Sequence, residues 1–159
     1  LRDYWGWSID DFKRSLKEEI LSEKVAAKLD TADHQKAALV ISKVSSPKAD
    51  FSALARKYSD DPGAKNNGGD YGFPISRTNP NVPPEVVGML FKMKVGQISG
   101  IILASPVLAN QGPSLQIVEL TGVKGDSVTA RHITINLKDI SAYVKPLEKQ
   151  KPSHPYVHF

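Results

Sequence analysis

The sequence predicts an α+β domain whose helices come first and whose strands come last. Apolar residues recur at helical spacing in the part of the chain up to Tyr58, whereas β-branched runs follow Gln97. A length of 159 residues with 40% hydrophobic content suits one domain with an appendage, or two very small domains.

The opening segment, "WGWSIDDFKRSLKEEILSEKVAAKLD", has the pattern of an amphipathic helix. Ser8 is a suitable N-cap for it. An apolar stripe then follows at helical spacing: Ile9, Phe12, Leu16 and Ile20. We therefore expect one long helix within the first thirty or so residues.

Three shorter helices are predicted further along the chain. Thr31 is a suitable N-cap for a helix that ends by Pro47, and Asp50 can cap the helix "FSALARKYS". The segment "PEVVGMLFKM" starts a further helix at Pro84, where proline is tolerated because the first helical N–H needs no partner within the helix. The polar stretch Tyr58–Phe73 separates these helices.

Three strand patterns follow, "QISGIIL", "SLQIVEL" and "VTARHITINL", and the turn "TGVKGDS" between the last two indicates a hairpin. A three-residue loop Val123–Gly125, with glycine in the left-handed position, would set Gln116 opposite His132. A two-residue loop Gly125–Asp126 would set Glu119 opposite His132 instead. The sequence leaves both registers open.

Composition excludes several classes of function. The net charge is only +4, and the sequence has no Lys/Arg block with interleaved aromatics, so nucleic-acid binding is not expected. The absence of cysteine removes disulfides, thiol catalysis and zinc–thiolate sites together. No window approaches ~18 uninterrupted apolar residues, so we expect no direct membrane contact by this part of the protein. We also expect no cofactor.

The stretch "YSDDPGAKNNGGDYGF" is rich in Asp, Asn and Gly, which is typical of a solvated loop, a metal loop or part of an active site. Its oxygen ligands lack the D-x-D-x-D-G spacing and the closing Glu of a calcium loop. We therefore expect no metal here, and a calcium-dependent adhesion or scaffold domain is the weakest alternative.

The run "DFSALARKYSDDPGAKNNGGDYGF" resembles the parvulin-type (PpiC or rotamase) peptidyl-prolyl isomerases, whose pattern is DF-x-x-L-A-x-x-x-S, a short polar loop and GGD-L-G-aromatic. Further on, "LFKMKVGQISG" is similar to that family's "AFALKPGEISGP". The opening segment resembles the last helix of the N-terminal chaperone region in SurA-like or PrsA-like foldases. The resemblance covers roughly residues 4–121.

The resemblance implies a parvulin-like four-stranded antiparallel sheet with surrounding short helices, preceded by the N-terminal helix. Residues 1–30 would be the helix of the chaperone region, 31–137 the isomerase domain, and 138–159 a C-terminal helix and extended tail. The family's first strand, of the type "HIL", is missing before the second helix, whereas "ARHITI" has that character. We expect this strand to be supplied from the C-terminal side, as in a circular permutation. The alternative is a truncated second domain, although too few residues follow for a core of its own.

The resemblance also implies an active site, with the stretch Tyr58–Phe73 as its loop and second strand. Asp61 stands at the family's Cys/Asp position, His132 at its first His and Gln116 at its second His, while Ser59 lies in the approach loop; these are the expected catalytic residues. The expected proline pocket is formed by Tyr71, Val82, Val86 and Phe91. Gln116 cannot titrate near neutral pH as a histidine would, and the two valines replace Met and Phe, which makes the pocket shallower.

The expected function is therefore that of a peptidyl-prolyl cis–trans isomerase and foldase, which assists unfolded or exported polypeptides without covalent chemistry. The alternative is a catalytically weak or inactive parvulin scaffold that acts as a peptide-binding chaperone. The expected partners are unfolded or proline-containing polypeptides, and the expected location is outside the cytoplasm. Because the chain starts at Leu1 and not at Met, we expect a processed or engineered boundary, with an anchor segment upstream as one option.

Overall fold

The computed structural model describes residues 30–108 and 110–138, together with residues 10, 13, 14, 17 and 21. Residues Asp30–Leu137 form one compact unit. The predicted long helix of the opening segment and the predicted tail 138–159 lie almost entirely outside the described residues. Across the part of the chain that the structure describes, no helix is long and apolar enough to cross a bilayer.

Two helices begin the compact unit, α1 (Thr31–Val44) and α2 (Phe51–Tyr58). Asp50 caps α2 as predicted, since its carboxylate accepts a hydrogen bond from the N–H of Ala53 at 3.0 Å. The predicted cap of α1 is one residue too late, because Asp30 and not Thr31 accepts the capping bond.

The stretch Tyr58–Phe73, predicted to be a loop followed by a strand, contains a third helix, α3 (Pro62–Asn67). Asp61 caps α3 and Pro62 takes its first position, where the missing N–H is no loss. The strand predicted after it is reduced to one isolated bridge between Asp70 and Arg131. A two-residue strand, β1 (Ile75–Ser76), follows instead.

The remaining elements are α4 (Pro84–Leu90), β2 (Ile102–Ala104), β3 (Ser114–Lys124) and β4 (Ser127–Asn136). The four strands form one antiparallel sheet in the order β1-β4-β3-β2. The last strand among the described residues, β4, therefore lies between β1 and β3. This confirms a four-stranded antiparallel sheet, with short helices around it, in which one strand comes from the C-terminal side.

The β3–β4 hairpin has a register that neither alternative predicted. Its turn is the two-residue Gly125–Asp126, but an extra residue in β3, Thr121, forms a bulge between Leu120 and Gly122. The bulge shifts the pairing by one, so that Val118 lies opposite His132. Both predicted partners of His132 were wrong.

One face of the sheet carries both an apolar cluster and the candidate site. Near the hairpin turn, this face packs against α4 through a fully or nearly fully buried set: Val86, Leu90, Val118, Leu120, Val128 and Ala130. Because side chains alternate along a strand, Gln116 and His132 project from this same face, one step further from the turn. The sheet thus holds the polar side chains at the edge of a packed apolar core.

Candidate active site

Asp61 and His132 form a direct pair across 71 residues of sequence. The Nε2 of His132 lies 2.7 Å from Oδ2 of Asp61, while Oδ1 of Asp61 accepts the N–H of Gly63 at 2.9 Å. The hydrogen bond with His132 holds the pKa of Asp61 below its usual value, against the opposing effect of partial burial. Because an ionised carboxylate only accepts hydrogen bonds, Nε2 carries the proton that joins the pair.

Ser59 holds the backbone before Asp61 against β4. Its hydroxyl oxygen accepts the N–H of Thr134 at 3.1 Å and the N–H of Asp61 at 3.3 Å. The side chain is fully buried and does not border the cleft described below. Ser59 is therefore placed to position Asp61, not to contact a ligand.

Asp60 provides a second attachment of the same loop. Its backbone N–H donates to the carbonyl of Thr134 at 2.7 Å, and its carboxylate accepts the N–H of Asn136 at 3.1 Å. Lys36 of α1 reaches the other carboxylate oxygen at 2.7 Å. The loop is thereby fixed to β4 through the two residues that precede Asp61.

Gly69 sets the position of β4 from the other direction. The N–H of His132 donates to the carbonyl of Gly69 at 2.8 Å. At Gly69, φ is +87°, and an added Cβ would lie 2.5 Å from the carbonyl oxygen of His132. Only glycine lets the two backbones approach this closely.

Tyr71 extends the pair into a four-residue set. Its ring stacks on the His132 ring with centroids 4.1 Å apart, and its hydroxyl donates to Oε1 of Gln116 at 3.3 Å. Burial raises the pKa of Tyr71 far above its usual value, and the negative charge of Asp61 adds to this effect. The phenol therefore stays protonated and can act as a hydrogen-bond donor.

A cleft of about 550 Å³ brings these side chains together. It is bordered by four of the eight residues that the sequence predicted for the site: Asp61, Tyr71, Gln116 and His132. The other four lie elsewhere. Ser59 is buried behind the cleft, whereas Val82 and Phe91 border a second cleft of about 500 Å³.

Val86 is a correction to the predicted proline pocket. Its side chain is 0% exposed and borders neither cleft, because α4 turns it into the core against the sheet. The predicted pocket is thus divided: one member faces the first cleft, two face the second, and this one faces neither.

The sequence reasoning missed the segment between β2 and β3. Ser105, Pro106, Val107 and Leu108 border the first cleft and supply part of its apolar wall. Two prolines and a glycine in "SPVLANQGPS" signal a loop, but no periodicity in it indicates which way its side chains point. Only the fold brings this loop opposite His132.

The chemistry available in the first cleft is hydrogen bonding and electrostatics. Within residues 30–108 and 110–138, no group of three or more His, Cys, Asp or Glu side chains could hold a metal ion. The Nδ1 of His132 is buried and has no partner in this part of the chain. The cleft offers a carboxylate, an imidazole, a phenol and a primary amide, all with fixed orientation.

Comparison with known proteins gives a family. No curated protein sequence matches the chain. A crystal structure of the foldase protein PrsA from Streptococcus pneumoniae is similar, with 22% sequence identity and a TM-score of 0.37. That match covers 93% of this chain, which spans only 61% of the length of the foldase chain. A family model, the rotamase PPIC-type PPIase domain, matches residues 16–121, about two thirds of the chain. The chain therefore belongs to the family of PPIC-type peptidyl-prolyl isomerase domains.

Proposed function

We propose that this chain catalyses cis–trans isomerisation of X–Pro bonds in unfolded polypeptides, with the reacting amide bound in the first cleft. One observation carries the proposal: Asp61, His132, Tyr71 and Gln116 border the same cleft and are linked by two hydrogen bonds and a ring stack. A set of polar side chains held in this way can recognise one geometry of a bound amide.

The reaction needs no bond to break. Rotation about the amide crosses a barrier of ~18–20 kcal/mol, because the planar forms are stabilised by resonance. An enzyme accelerates rotation by binding the twisted amide better than either planar form, and each ~1.4 kcal/mol of such preference gives about tenfold in rate. As the amide twists, its nitrogen lone pair leaves the resonance and becomes a hydrogen-bond acceptor.

The side chains of the first cleft divide into two roles in this proposal. Tyr71 and Gln116 supply hydrogen-bond donors for the twisted amide, and burial keeps the Tyr71 hydroxyl protonated. Asp61 orients His132, whose ring forms the floor on which Tyr71 stacks. The apolar wall formed by Pro106 and Val107 would receive the proline ring.

A peptide-binding chaperone without isomerase activity is the second candidate. The observation that favours it is the position of Tyr71, whose ring is stacked over His132 and whose hydroxyl already has a partner in Gln116. A substrate must exchange that hydrogen bond for one of its own. Because Gln116 replaces a histidine of the family pattern, the catalytic rate is the quantity in question, not the ability to bind.

The deciding experiment is exchange NMR on an Ala-Xaa-Pro-Phe peptide with a catalytic amount of protein, comparing the wild type with Asp61→Asn. Lys48→Gln serves as control, since Lys48 is exposed and borders neither cleft. An isomerase accelerates exchange at least tenfold in the wild type and the control, and loses most of this in Asp61→Asn. Shifted peptide signals without acceleration would contradict catalysis and support the chaperone. No shift and no acceleration would reject both.

The clients and the cellular location belong to the proposal as well. We infer that the clients are unfolded or exported polypeptides, because the reaction requires X–Pro bonds that are accessible in an extended chain. A location outside the cytoplasm stays a prediction from the resemblance to foldases. Fractionation of cells that produce the full-length protein tests it, and recovery in the cytoplasmic fraction would contradict it.

A further inference from the structure

The second cleft, of about 500 Å³, differs in character from the first. Its apolar border includes Val82, Val87 and Phe91. Among the described residues, Arg77 is the one charged residue that borders it, and no carboxylate of this set does. The cleft therefore combines an apolar surface with a positive charge that no described residue on its border balances.

Arg77 is held in a geometry suited to bind an anion. Its guanidinium carbon lies 4.2 Å from the centroid of the Phe91 ring. A guanidinium against an aromatic face is partly desolvated, while its N–H donors remain free around its edge. A carboxylate is the acceptor that such a fork fits best.

No carboxylate of the described part of the chain pairs with Arg77. The ion pairs seen there join Lys36 to Asp60 and Arg131 to Glu119, besides the His132–Asp61 contact. Glu85 of α4 accepts instead from the hydroxyl of Ser105 at 2.6 Å.

The two clefts are adjacent. Pro106 and Val107 border both of them, so the loop between β2 and β3 forms a shared wall. Pro83 borders the first cleft, and its neighbours Val82 and Pro84 border the second. An extended polypeptide advances about 3.3 Å per residue, so a chain bound in the first cleft reaches the second within a few residues.

We propose that the second cleft is a specificity site, which binds a Glu or Asp side chain of the same polypeptide whose proline lies in the first cleft. Arg77 pairs with the carboxylate, and the methylene groups of the acidic side chain pack on Phe91. This inference rests on the proposed function, since it concerns the same substrate. It makes Arg77 a specificity-determining residue outside the catalytic set.

The test uses matched peptides that differ in one side-chain group, a carboxylate or an uncharged carboxamide. Each Ala-Pro peptide carries Glu, or its uncharged isostere Gln, at successive positions on either side of the proline. The dissociation constants are measured by titration of the full chain in low salt, and the Glu-to-Gln affinity ratio is taken separately for each protein variant. We expect a preference for Glu of about fivefold at the favoured position, because a stacked, bidentate pair is stronger than a freely exposed one.

Three variants separate charge recognition from folding. In Arg77→Gln the ratio falls to about one, whereas Lys48→Gln, which removes a charge outside both clefts, keeps it. In Arg77→Glu the preference reverses toward a peptide with Lys at the same position, a gain that an unfolded protein cannot produce. In the wild type, the backbone NMR signals around Phe91 shift with the Glu peptide more than with the Gln peptide.

The outcomes distinguish this inference from the proposed function. If peptides bind and isomerise but the ratio stays near one at every position, the second cleft does not read an acidic residue and the inference is overturned alone. If the ratio persists in Arg77→Gln, the charge is recognised elsewhere and the inference is again overturned. If no peptide binds the wild type, this inference and the proposed function fall together.

Discussion

Replacing Gly69 with alanine tests whether the close approach between the α3–β1 connection and β4 holds the candidate site in place. Gly69 contacts β4 at His132, because the carbonyl of Gly69 accepts the N–H of His132 at 2.8 Å. An added Cβ would lie 2.5 Å from the carbonyl oxygen of His132 and 3.0 Å from Cβ of Ala55. Neither neighbour is a flexible side-chain end, so the backbone itself has to move.

The expected loss of stability has two parts. An alanine with φ near the observed +87° costs about 1 kcal/mol relative to glycine, because its Cβ crowds the following carbonyl. Forcing a methyl group into a closely packed site adds about 1–3 kcal/mol. The free energy of unfolding should therefore fall by about 3 kcal/mol, a large part of the ~5–15 kcal/mol typical of a domain.

Gly72→Ala is the matched control. Gly72 has a similar φ of +75°, but an added Cβ there meets no atom within 4 Å. Gly72→Ala should lower the free energy of unfolding by the conformational part alone, about 1 kcal/mol. The difference between the two variants, about 2 kcal/mol, isolates the contacts with His132 and Ala55. Urea unfolding followed by far-UV circular dichroism measures both, with the slope against urea concentration as a check on unchanged cooperativity.

The same variant should also lower isomerisation. A backbone shift of a few tenths of an ångström at His132 moves its ring relative to Tyr71, which stacks on it. It also moves the ring relative to Gln116, which accepts a hydrogen bond from the Tyr71 hydroxyl. If Gly69→Ala and Gly72→Ala unfold within about 0.5 kcal/mol of each other, the backbone approach is not a constraint, and our account of how His132 is positioned is wrong.

Three further predictions concern the site itself. The pKa of Asp61 is lower in the folded state than its ordinary 3.8, so its pairing with His132 stabilises the fold above about pH 4. This stabilisation is lost as the pH falls through the folded-state pKa. Urea titrations from about pH 2 to 6 should therefore show a fall in the free energy of unfolding that is smaller in Asp61→Asn. Ser59→Ala leaves two backbone N–H groups without their acceptor and should lower the free energy of unfolding by about 1–3 kcal/mol, against less than about 0.5 kcal/mol for the exposed hydroxyl removed in Ser42→Ala. Tyr71→Phe should slow isomerisation about tenfold while changing stability by only about 1 kcal/mol, and an unchanged rate in exchange NMR would remove the hydroxyl from the mechanism.

Local signals predicted most of the helices because caps act within one turn. Asp50 and Pro84 each mark a helix start through a backbone group one to three residues away, so no tertiary information is needed. The exception is α3. Its "DPGAKNN" has the composition of a turn, yet the Asp61 cap and the packing of a fully buried Ala64 make it helical.

The hairpin register shows what a turn alone cannot determine. The two-residue turn predicts one set of pairs for the whole hairpin, and the bulge at Thr121 replaces it with another from Leu120 onward. Without the extra residue, the side chains of β3 from Leu120 back to Ser114 would face the opposite side of the sheet. The burial of Val118 and Leu120 on the core face selects the bulged arrangement.

The sequence predicted the polar residues of the candidate site better than its proline pocket. Asp61, Tyr71, Gln116 and His132 were predicted from the resemblance, and the fold brings them to one cleft. The proline pocket was predicted as one surface, whereas two clefts lie there, with the loop between β2 and β3 as their common wall. That loop carries no periodic pattern, so its contribution depends entirely on where the flanking strands place its ends.

The position of β4 explains how a histidine beyond the family match can still complete the site. The match ends at residue 121, yet β4 (Ser127–Asn136) lies in the middle of the sheet with β1 on one side and β3 on the other. A two-residue turn after β3 closes this pairing at little entropic cost, because its residues are adjacent in sequence. Once β4 is paired, its alternation places Ala130 in the core and His132 in the cleft. The central pairing of β4 thus completes the sheet and also brings its histidine to Asp61. A strand that completes the sheet in this way favours a relocated strand of one domain over the start of a second domain.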